Sequence, residues 1–477
     1  MSFVSLPFFV ITIVTILLYF LFPLEKRWVV LLTASVVFYY EAAGLVASFI
    51  IILTAVFVYY AAILIEKSNN QSRKKKFVFS IAIIAVLCVL ILTKIKNHVR
   101  ILSGLIIPMG ISYYSFSLIG YLADVYTKKQ SSERHILKFL LYTTFFLKIM
   151  QGPISKFRII GPKLIEGHRF DYQNLCMGTQ LIIWGYFKKL VITERTMMFV
   201  NNLFADLNNY ELGGFSLLFA TILWGFGFYC DFSGYMDIVT GIAQIMGIQL
   251  EKNFDRPFFS RSFSEFWGRW HITLGVWFRD YIYIPLGGSR KGIIRKYFNL
   301  FVVFLVSGVW HGTGLDYLIW GVLCGAISVL SQVLDPLFVK IKKILKINPE
   351  SADWRAFQII RTFCAYLLIL LIATATGIRN LKPYFRIIFK DFGFGRMDIH
   401  SFTRYGLNGT NFVILVIAVV ILWFMEWKQA AGSIRVFVAG LNAPAKWTFY
   451  ALGTLIVLFL GIYGAGYSTS GFAYAFY

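Results

Sequence analysis

The feature that most constrains this 477-residue chain is a series of long apolar runs that recurs from one end of the sequence to the other. An α-helix rises 1.5 Å per residue, so about 20 apolar residues cross the hydrocarbon of a bilayer. The runs fall at about 2–22, 28–43, 46–65, 77–93, 103–122, 136–150, 176–192, 214–229, 298–310, 315–334, 357–377, 411–427 and 446–467. The 28–43 and 136–150 runs are short and others contain Gly or Pro, so several are expected to be tilted or re-entrant rather than full spans. Composition agrees: 58% of residues are hydrophobic and only 14% charged, against about a quarter charged in soluble domains. Mean hydropathy is +0.69. Strand-type alternation is not the pattern, which argues against a β-barrel. The expected fold class is an all-α polytopic membrane protein. With no internal repeat and no Pro/Ser-rich linker, residues 1–477 read as a single membrane domain. Phe3 to Phe22 has no basic flank before it and no small-residue cleavage site after it, so it reads as a retained helix rather than a signal peptide.

The net charge of +23 invites a nucleic-acid reading, but its placement argues otherwise. Basic residues gather in short connectors: Lys67 with Arg73 to Lys76; Arg290, Lys291, Arg295 and Lys296; then Lys340, Lys342, Lys343 and Lys346. Short Lys/Arg-rich loops between spans mark the cytoplasmic side. With the N-terminus outside, the 23–27 and 66–76 connectors both fall inside. Lys94 to Arg100 then falls outside if the preceding span crosses fully, a conflict that a re-entrant segment near 77–122 would remove. Part of the charge is also suited to anionic lipid or an anionic donor. The five cysteines (88, 176, 230, 324 and 364) show no CxxC spacing and read as small buried hydrophobes, not as disulfides or metal ligands.

Ionisable groups at membrane depth are costly, so they are the functional candidates. His98, His135, His168 and His400 sit in polar connectors, where a solvated imidazole costs nothing. The other two histidines differ. His311 closes a nearly uncharged stretch, within Gly308-Val-Trp310-His311-Gly312, and Gly308/Gly312 and Gly321/Gly325 have the small-xxx-small spacing that lets helices approach closely. His271 lies in Arg269-Trp270-His271. Each is either a functional imidazole or a buried hydrogen-bonding group that holds helices together. Around His271 runs Phe254 to Tyr281, crowded with aromatics, Arg and acids and lacking a long apolar run. Such a segment also suits the membrane interface. It ends in the Pro/Gly turn Ile284-Pro285-Leu286-Gly287-Gly288. Asp231 and Asp237 lie in an otherwise apolar stretch. Their spacing of six does not align them on one helix face, so separate Arg or His partners are expected rather than a carboxylate dyad. HExxH, P-loop, GxGxxG and GxSxG patterns are absent, which removes zincin, NTPase, Rossmann and serine-hydrolase readings.

Together these clusters resemble the membrane-bound O-acyltransferase family, in its bacterial alginate-O-acetyltransferase-like branch. The resemblance rests on six stretches in family order. They are Pro108-Met-Gly-Ile-Ser-Tyr-Tyr-Ser-Phe with Tyr121-Leu-Ala-Asp124-Val-Tyr126; Gln151-Gly-Pro153-Ile-Ser; Trp184-Gly-Tyr-Phe-Lys-Lys189; Asp231 to Asp237; Phe266 to Gly288; and Gly308 to Gly312. The Ile284 to Gly288 ending resembles the acetyltransferases more than the related proteins that pass D-alanine to teichoic acid.

The resemblance implies a ring of tilted transmembrane and re-entrant helices around a central tunnel, with acetyl-CoA as donor substrate and no permanently bound cofactor or metal. It implies His311 as the catalytic histidine, with His271 positioning or polarising the thioester carbonyl. Asp231, Arg269, Trp270, Arg279 and Trp310 are expected to bind substrate or support the site, Asp231 by orienting an imidazole or pairing with Arg. Arg290, Lys291, Arg295 and Lys296 would attract the donor phosphates. The acceptor would be an extracytoplasmic polysaccharide or peptidoglycan, reached through an extracellular SGNH-type acetyltransferase partner. Phe472-x-Tyr474-x-x-Tyr477 resembles a Phe-x-Tyr-x-x-Phe pattern of the alginate-type proteins, which would make Tyr474 a covalent acetyl relay. The alternative is an aromatic anchor at the interface. D-alanyl transfer and, in another class, polysaccharide export remain the rival readings.

Overall fold

The computed structural model describes residues 3–69, 72–96, 106–206, 213–372, 377–390 and 399–463, together with 99, 104 and 392. In chain order the helices begin with α1 (Leu6–Leu21), α2 (Arg27–Lys67), α3 (Arg73–Ile95), α4 (Ile111–Tyr126), α5 (Ile136–Thr144), α6 (Phe157–Ile165) and α7 (Tyr172–Tyr186). They continue with α8 (Glu194–Ala205), α9 (Gly214–Ile245), α10 (Phe263–Arg269), α11 (Ile272–Phe278), α12 (Ile293–His311), α13 (Leu315–Val333) and α14 (Asp335–Ile344). The last are α15 (Ala352–Leu370), α16 (Gly377–Lys390), α17 (Ile399–Arg404), α18 (Gly409–Lys428), α19 (Ile434–Ala439) and α20 (Ala443–Leu460).

Among the described residues, 7 helices are long and apolar enough to cross a membrane: α2, α3, α9, α12, α13, α18 and α20. Their outward faces are apolar too. Leu6, Leu17 and Leu21 on α1, Ile84 on α3 and Phe459 on α20 are exposed, which water would penalise and acyl chains would not. The protein is an all-α, multi-pass integral membrane protein. Chain contacts divide it into two compact units, one drawn from Met1–Gly185 and Tyr235–Lys252, the other from Tyr186–Gly234 and Asn253–Ser470.

In the first unit the apolar runs at 28–43 and 46–65 form the two helical arms of α2. It breaks at Gly44 (φ 80°, ψ 175°), a backbone conformation open to glycine and strained for other residues. Helix α4 is buried along nearly its whole length, so the 103–122 run supplies a core helix rather than a lipid-facing span. Helix α5 ends at Thr144, and Phe145 to Ser155 continues as irregular, fully buried chain. The hydroxyl of Tyr142 secures this stretch, lying 3.2 Å from the carbonyl oxygen of Ser117 on α4 and 2.9 Å from that of Ser155. The connector after α3, on which the re-entrant expectation turned, lies mainly outside the described residues.

In the second unit α12 and α13 form a tight antiparallel hairpin. A Cβ placed on Gly308 would lie 2.4 Å from the Tyr317 carbonyl oxygen, and one on Gly321 would lie 2.8 Å from that of Phe304. These two glycines let the backbones touch. Helix α10 packs on the hairpin through Phe263 and Trp267, against Trp320, Cys324 and Phe304. Cys176, Cys230 and Cys324 are buried as expected, whereas Cys88 on α3 and Cys364 on α15 are exposed.

Candidate active site

The aromatic segment after α9 folds as a closed loop. The Asp255 amide donates to the Arg269 carbonyl (3.0 Å), the Ile272 amide donates to the Asn253 carbonyl (2.9 Å), and Phe254 bridges to Trp270. Inside the loop, Ser262 caps α10 by accepting from the Glu265 amide (3.1 Å), and the Glu265 carboxylate accepts in return from the Arg261 amide (2.7 Å). This resembles a capping box, with the return bond reaching the residue before the cap. The other Glu265 oxygen accepts from Arg269 at 2.6 Å. Arg269 is therefore a strut of the loop. Trp270 is buried and stacks on Phe228 and Phe266, with ring centroids at 6.0 and 5.6 Å.

His271 occupies the joint between α10 and α11 with φ 46° and ψ 53°. A bulky side chain rarely adopts this left-handed conformation, and it persists only where surrounding structure enforces it. Three contacts do so here. Phe232 of α9 meets the imidazole edge-on at 4.9 Å, and Trp310 of α12 lies at 6.3 Å. Asn253 Oδ1 lies 3.1 Å from His271 Nδ1.

The same Asn253 oxygen accepts from the Thr273 amide (3.1 Å) and the Thr273 hydroxyl (2.9 Å). A backbone N–H can only donate, so the atom facing it is the carboxamide oxygen, and His271 Nδ1 must carry a proton. In the neutral ring, Nε2 is then the basic nitrogen. His271 is 3% exposed and lies outside the seven apolar spans. Burial, with the His311 imidazole a further cause, holds its pKa well below the ordinary histidine value, so it stays neutral.

His311 is the last residue of α12 and is half-buried. Its ring meets Trp310 at 4.9 Å and Trp320 of α13 at 5.0 Å, both edge-on. Trp310 thus faces both histidines, and the hairpin brings His311 into the electrostatic field of His271.

Other expected residues fall elsewhere. Asp231 is buried on α9, and the cation beside it is a lysine: Lys189 Nζ lies 2.8 Å from its carboxylate and 2.9 Å from that of Glu194. A lysine, which the sequence did not single out for this role, is thus one partner of Asp231. The compact ammonium fits because the π-helical turn Phe187–Thr193 points Lys189 inward. Asp237 falls in the first unit. Arg279 is largely exposed, 2.9 Å from Asp280. Arg290, Lys291 and Arg295 are exposed and Lys296 half-buried. His135 is exposed and His168 half-buried, with Nε2 2.8 Å from the Lys163 carbonyl oxygen. Tyr474 lies outside the described residues.

Two residues that sequence reasoning passed over shape the site. One is Asn253. The other is Asn299, fully buried on α12, whose amide donates to the Gly288 carbonyl (2.9 Å) and clamps the Pro/Gly turn. An asparagine just before the aromatic segment, and another inside an apolar helix, were the available signals.

The site thus sets two tryptophan-flanked imidazoles in an all-helical membrane protein. The model of the membrane-bound O-acyltransferase family matches residues 32–342, and the chain belongs to that family. It is 31% identical over 329 residues to the probable alginate O-acetylase AlgI of Pseudomonas fluorescens, covering 69% of this chain and 63% of that protein. It is 33% identical over 261 residues to the peptidoglycan O-acetyltransferase of Helicobacter pylori, covering 49% of each. It is 33% identical over 268 residues to the teichoic acid D-alanyltransferase of Bacillus subtilis, covering 51% of this chain and 65% of that protein. The chain thus spans under two thirds of the length of each of these relatives.

Proposed function

We propose that this protein is an O-acyltransferase that takes an acetyl group from cytosolic acetyl-CoA for O-acetylation of an extracytoplasmic polysaccharide or peptidoglycan. The observation that carries the reading is the pairing of His271 and His311 around Trp310, in a chain of this family.

Transfer from a thioester to a hydroxyl needs a base that accepts the hydroxyl proton as the oxygen attacks the carbonyl carbon. His311 takes that role, and the proton it gains leaves with the thiolate of coenzyme A. A tunnel through the membrane, open on both sides, would bring the donor and the acceptor to it. His271 has a narrower role than the one expected. Polarising a carbonyl requires a donated hydrogen bond. With Nδ1–H committed to Asn253, a neutral ring offers only the acceptor Nε2. We assign it as the acceptor that stabilises the imidazolium formed on His311. Asp231, with Lys189 and Glu194, supports the α9 turn from which Phe232 meets His271.

The exposed Arg290, Lys291 and Arg295, with the half-buried Lys296, draw in the donor phosphates. Tyr474 relays the acetyl group as a phenyl ester, and an extracellular SGNH-type transferase takes it onward. Labelled acetyl-CoA tests the reading: the label enters envelope polymer with this chain and does not with His311→Ala. D-alanyl transfer predicts instead that only D-alanine label enters.

A further inference from the structure

Helix α14 (Asp335–Ile344) follows the second arm of the α12–α13 hairpin and has no buried residue. It is nonetheless rich in large apolar side chains. Leu337, Phe338, Ile341, Ile344 and Leu345 recur at the i, i+1, i+4, i+7, i+8 spacing of a single helical face. All five are exposed, Ile344 by 68% and Leu345 by 63%. Lys340, Lys343 and Lys346 are exposed and Lys342 is half-buried. At 100° per residue, Lys343 projects from the opposite face and Lys340 and Lys342 flank the two edges of the stripe, while Lys346 follows in the turn after α14. The neighbouring carboxylates lie elsewhere: Asp335 in the first turn of α14, and Glu350 at 4.0 Å from Arg261.

The hairpin sets where this helix sits. Gly308 meets Gly321, and Gly325 meets the ring of Phe301. The start of α12 and the end of α13 therefore share one end of the hairpin. That end carries Arg290 and Lys291 before α12, Arg295 and Lys296 in its first turn, and the four lysines of α14 and its C-terminal turn after α13. Eight basic residues at one end of a two-span hairpin mark the cytoplasmic side.

We propose that α14 lies flat in the headgroup layer of the cytoplasmic leaflet, with its Leu/Phe/Ile stripe in the acyl chains and its lysines on the phosphates of anionic phospholipid. A basic amphipathic helix whose apolar face is exposed among the described residues has this as its low-energy placement. The bilayer buries the stripe, and the negative surface potential holds the ammonium groups. This placement follows from membrane embedding and the hairpin and is independent of the reaction proposed above.

The test is hydrogen exchange of the full chain in nanodiscs of phosphatidylcholine alone and of phosphatidylcholine with phosphatidylglycerol. Peptides covering 335–346 should exchange about tenfold more slowly in the anionic discs. Peptides from 293–333 should be unchanged, which reports an intact hairpin. In Lys340→Gln/Lys342→Gln/Lys343→Gln/Lys346→Gln the lipid dependence should vanish. Equal exchange of 335–346 in the two disc types with the wild-type chain would overturn the proposal, whatever the variant does. So would protection reproduced in neutral discs by inorganic phosphate or free coenzyme A, because the site would then belong to a soluble phosphate.

Discussion

Asn253 Oδ1 lies 3.1 Å from His271 Nδ1 and the same distance from the Thr273 amide nitrogen, so one carboxamide decides which nitrogen of a buried histidine is basic. The arrangement makes Asn253→Leu costly, because it strands an imidazole N–H and the Thr273 amide and hydroxyl in a buried site. Leaving a buried donor unsatisfied costs about 1–3 kcal/mol. Acetyl transfer by Asn253→Leu should fall by roughly tenfold or more. Asn253→Asp keeps the acceptor but places a carboxylate beside the ring, raising the His271 pKa. Its activity should be depressed at neutral pH and recover at alkaline pH. Identical pH–rate profiles for Asn253→Asp and wild type would remove the assigned tautomer.

The depressed pKa of His271 carries a stability signature. The folded ring binds a proton less readily than the unfolded one, whose value is about 6.5. The unfolded state therefore gains protons first on acidification, and stability falls as pH drops below about 6.5. Thermal unfolding of the detergent-purified protein at pH 7.5 and 5.5 should show this loss. The loss should shrink in His271→Gln, which has no proton to gain. An equal loss in both proteins would mean that other groups carry the acid sensitivity.

Much of this architecture was legible in the sequence, and what was hidden had a common cause. Long apolar runs report helices directly, because hydrocarbon demands apolar side chains and internally satisfied backbone. His311 stood out for the same reason, as a costly group beside an apolar run. Whether two runs join is decided by backbone dihedrals. The runs either side of Gly44 are separate helical stretches because that residue leaves helical dihedrals, a break that the apolar pattern alone does not prove. Long-range partners are set by loop closure. Neither the 18-residue separation of His271 from Asn253 nor the 42-residue separation of Lys189 from Asp231 leaves a periodic trace. The clamp of Asn299 on Gly288 is hidden likewise.

Charge reversal in the first turn of α12 and the loop before it separates steering from chemistry. Arg290→Glu, Lys291→Glu, Arg295→Glu and Lys296→Glu together should raise the KM for acetyl-CoA severalfold at low salt, with a smaller change in kcat. Added salt should narrow the difference, since exposed charges are screened. A KM that does not move at low salt would reduce these residues to markers of membrane orientation.

The relay through Tyr474 has its own readout. Peptide mass spectrometry after incubation with acetyl-CoA should find one acetyl group, a 42 Da increment by composition on the order of C₂H₂O, on Tyr474 and none in His311→Ala. Free tyrosine, with pKa about 10, is protonated at neutral pH and needs that base. Tyr474→Phe keeps the aromatic ring and loses the hydroxyl. Full glycan acetylation by Tyr474→Phe would leave the segment as an interfacial anchor.

The most direct measurement follows label from the donor in membranes carrying this chain or its His311→Ala variant at matched, folded levels. Acetyl-labelled acetyl-CoA should place label in envelope polymer with the wild type, and the variant should lose on the order of a hundredfold or more of that rate, the scale of removing a general base. Near-equal incorporation by the variant, or label entering only from D-alanine, would contradict the account.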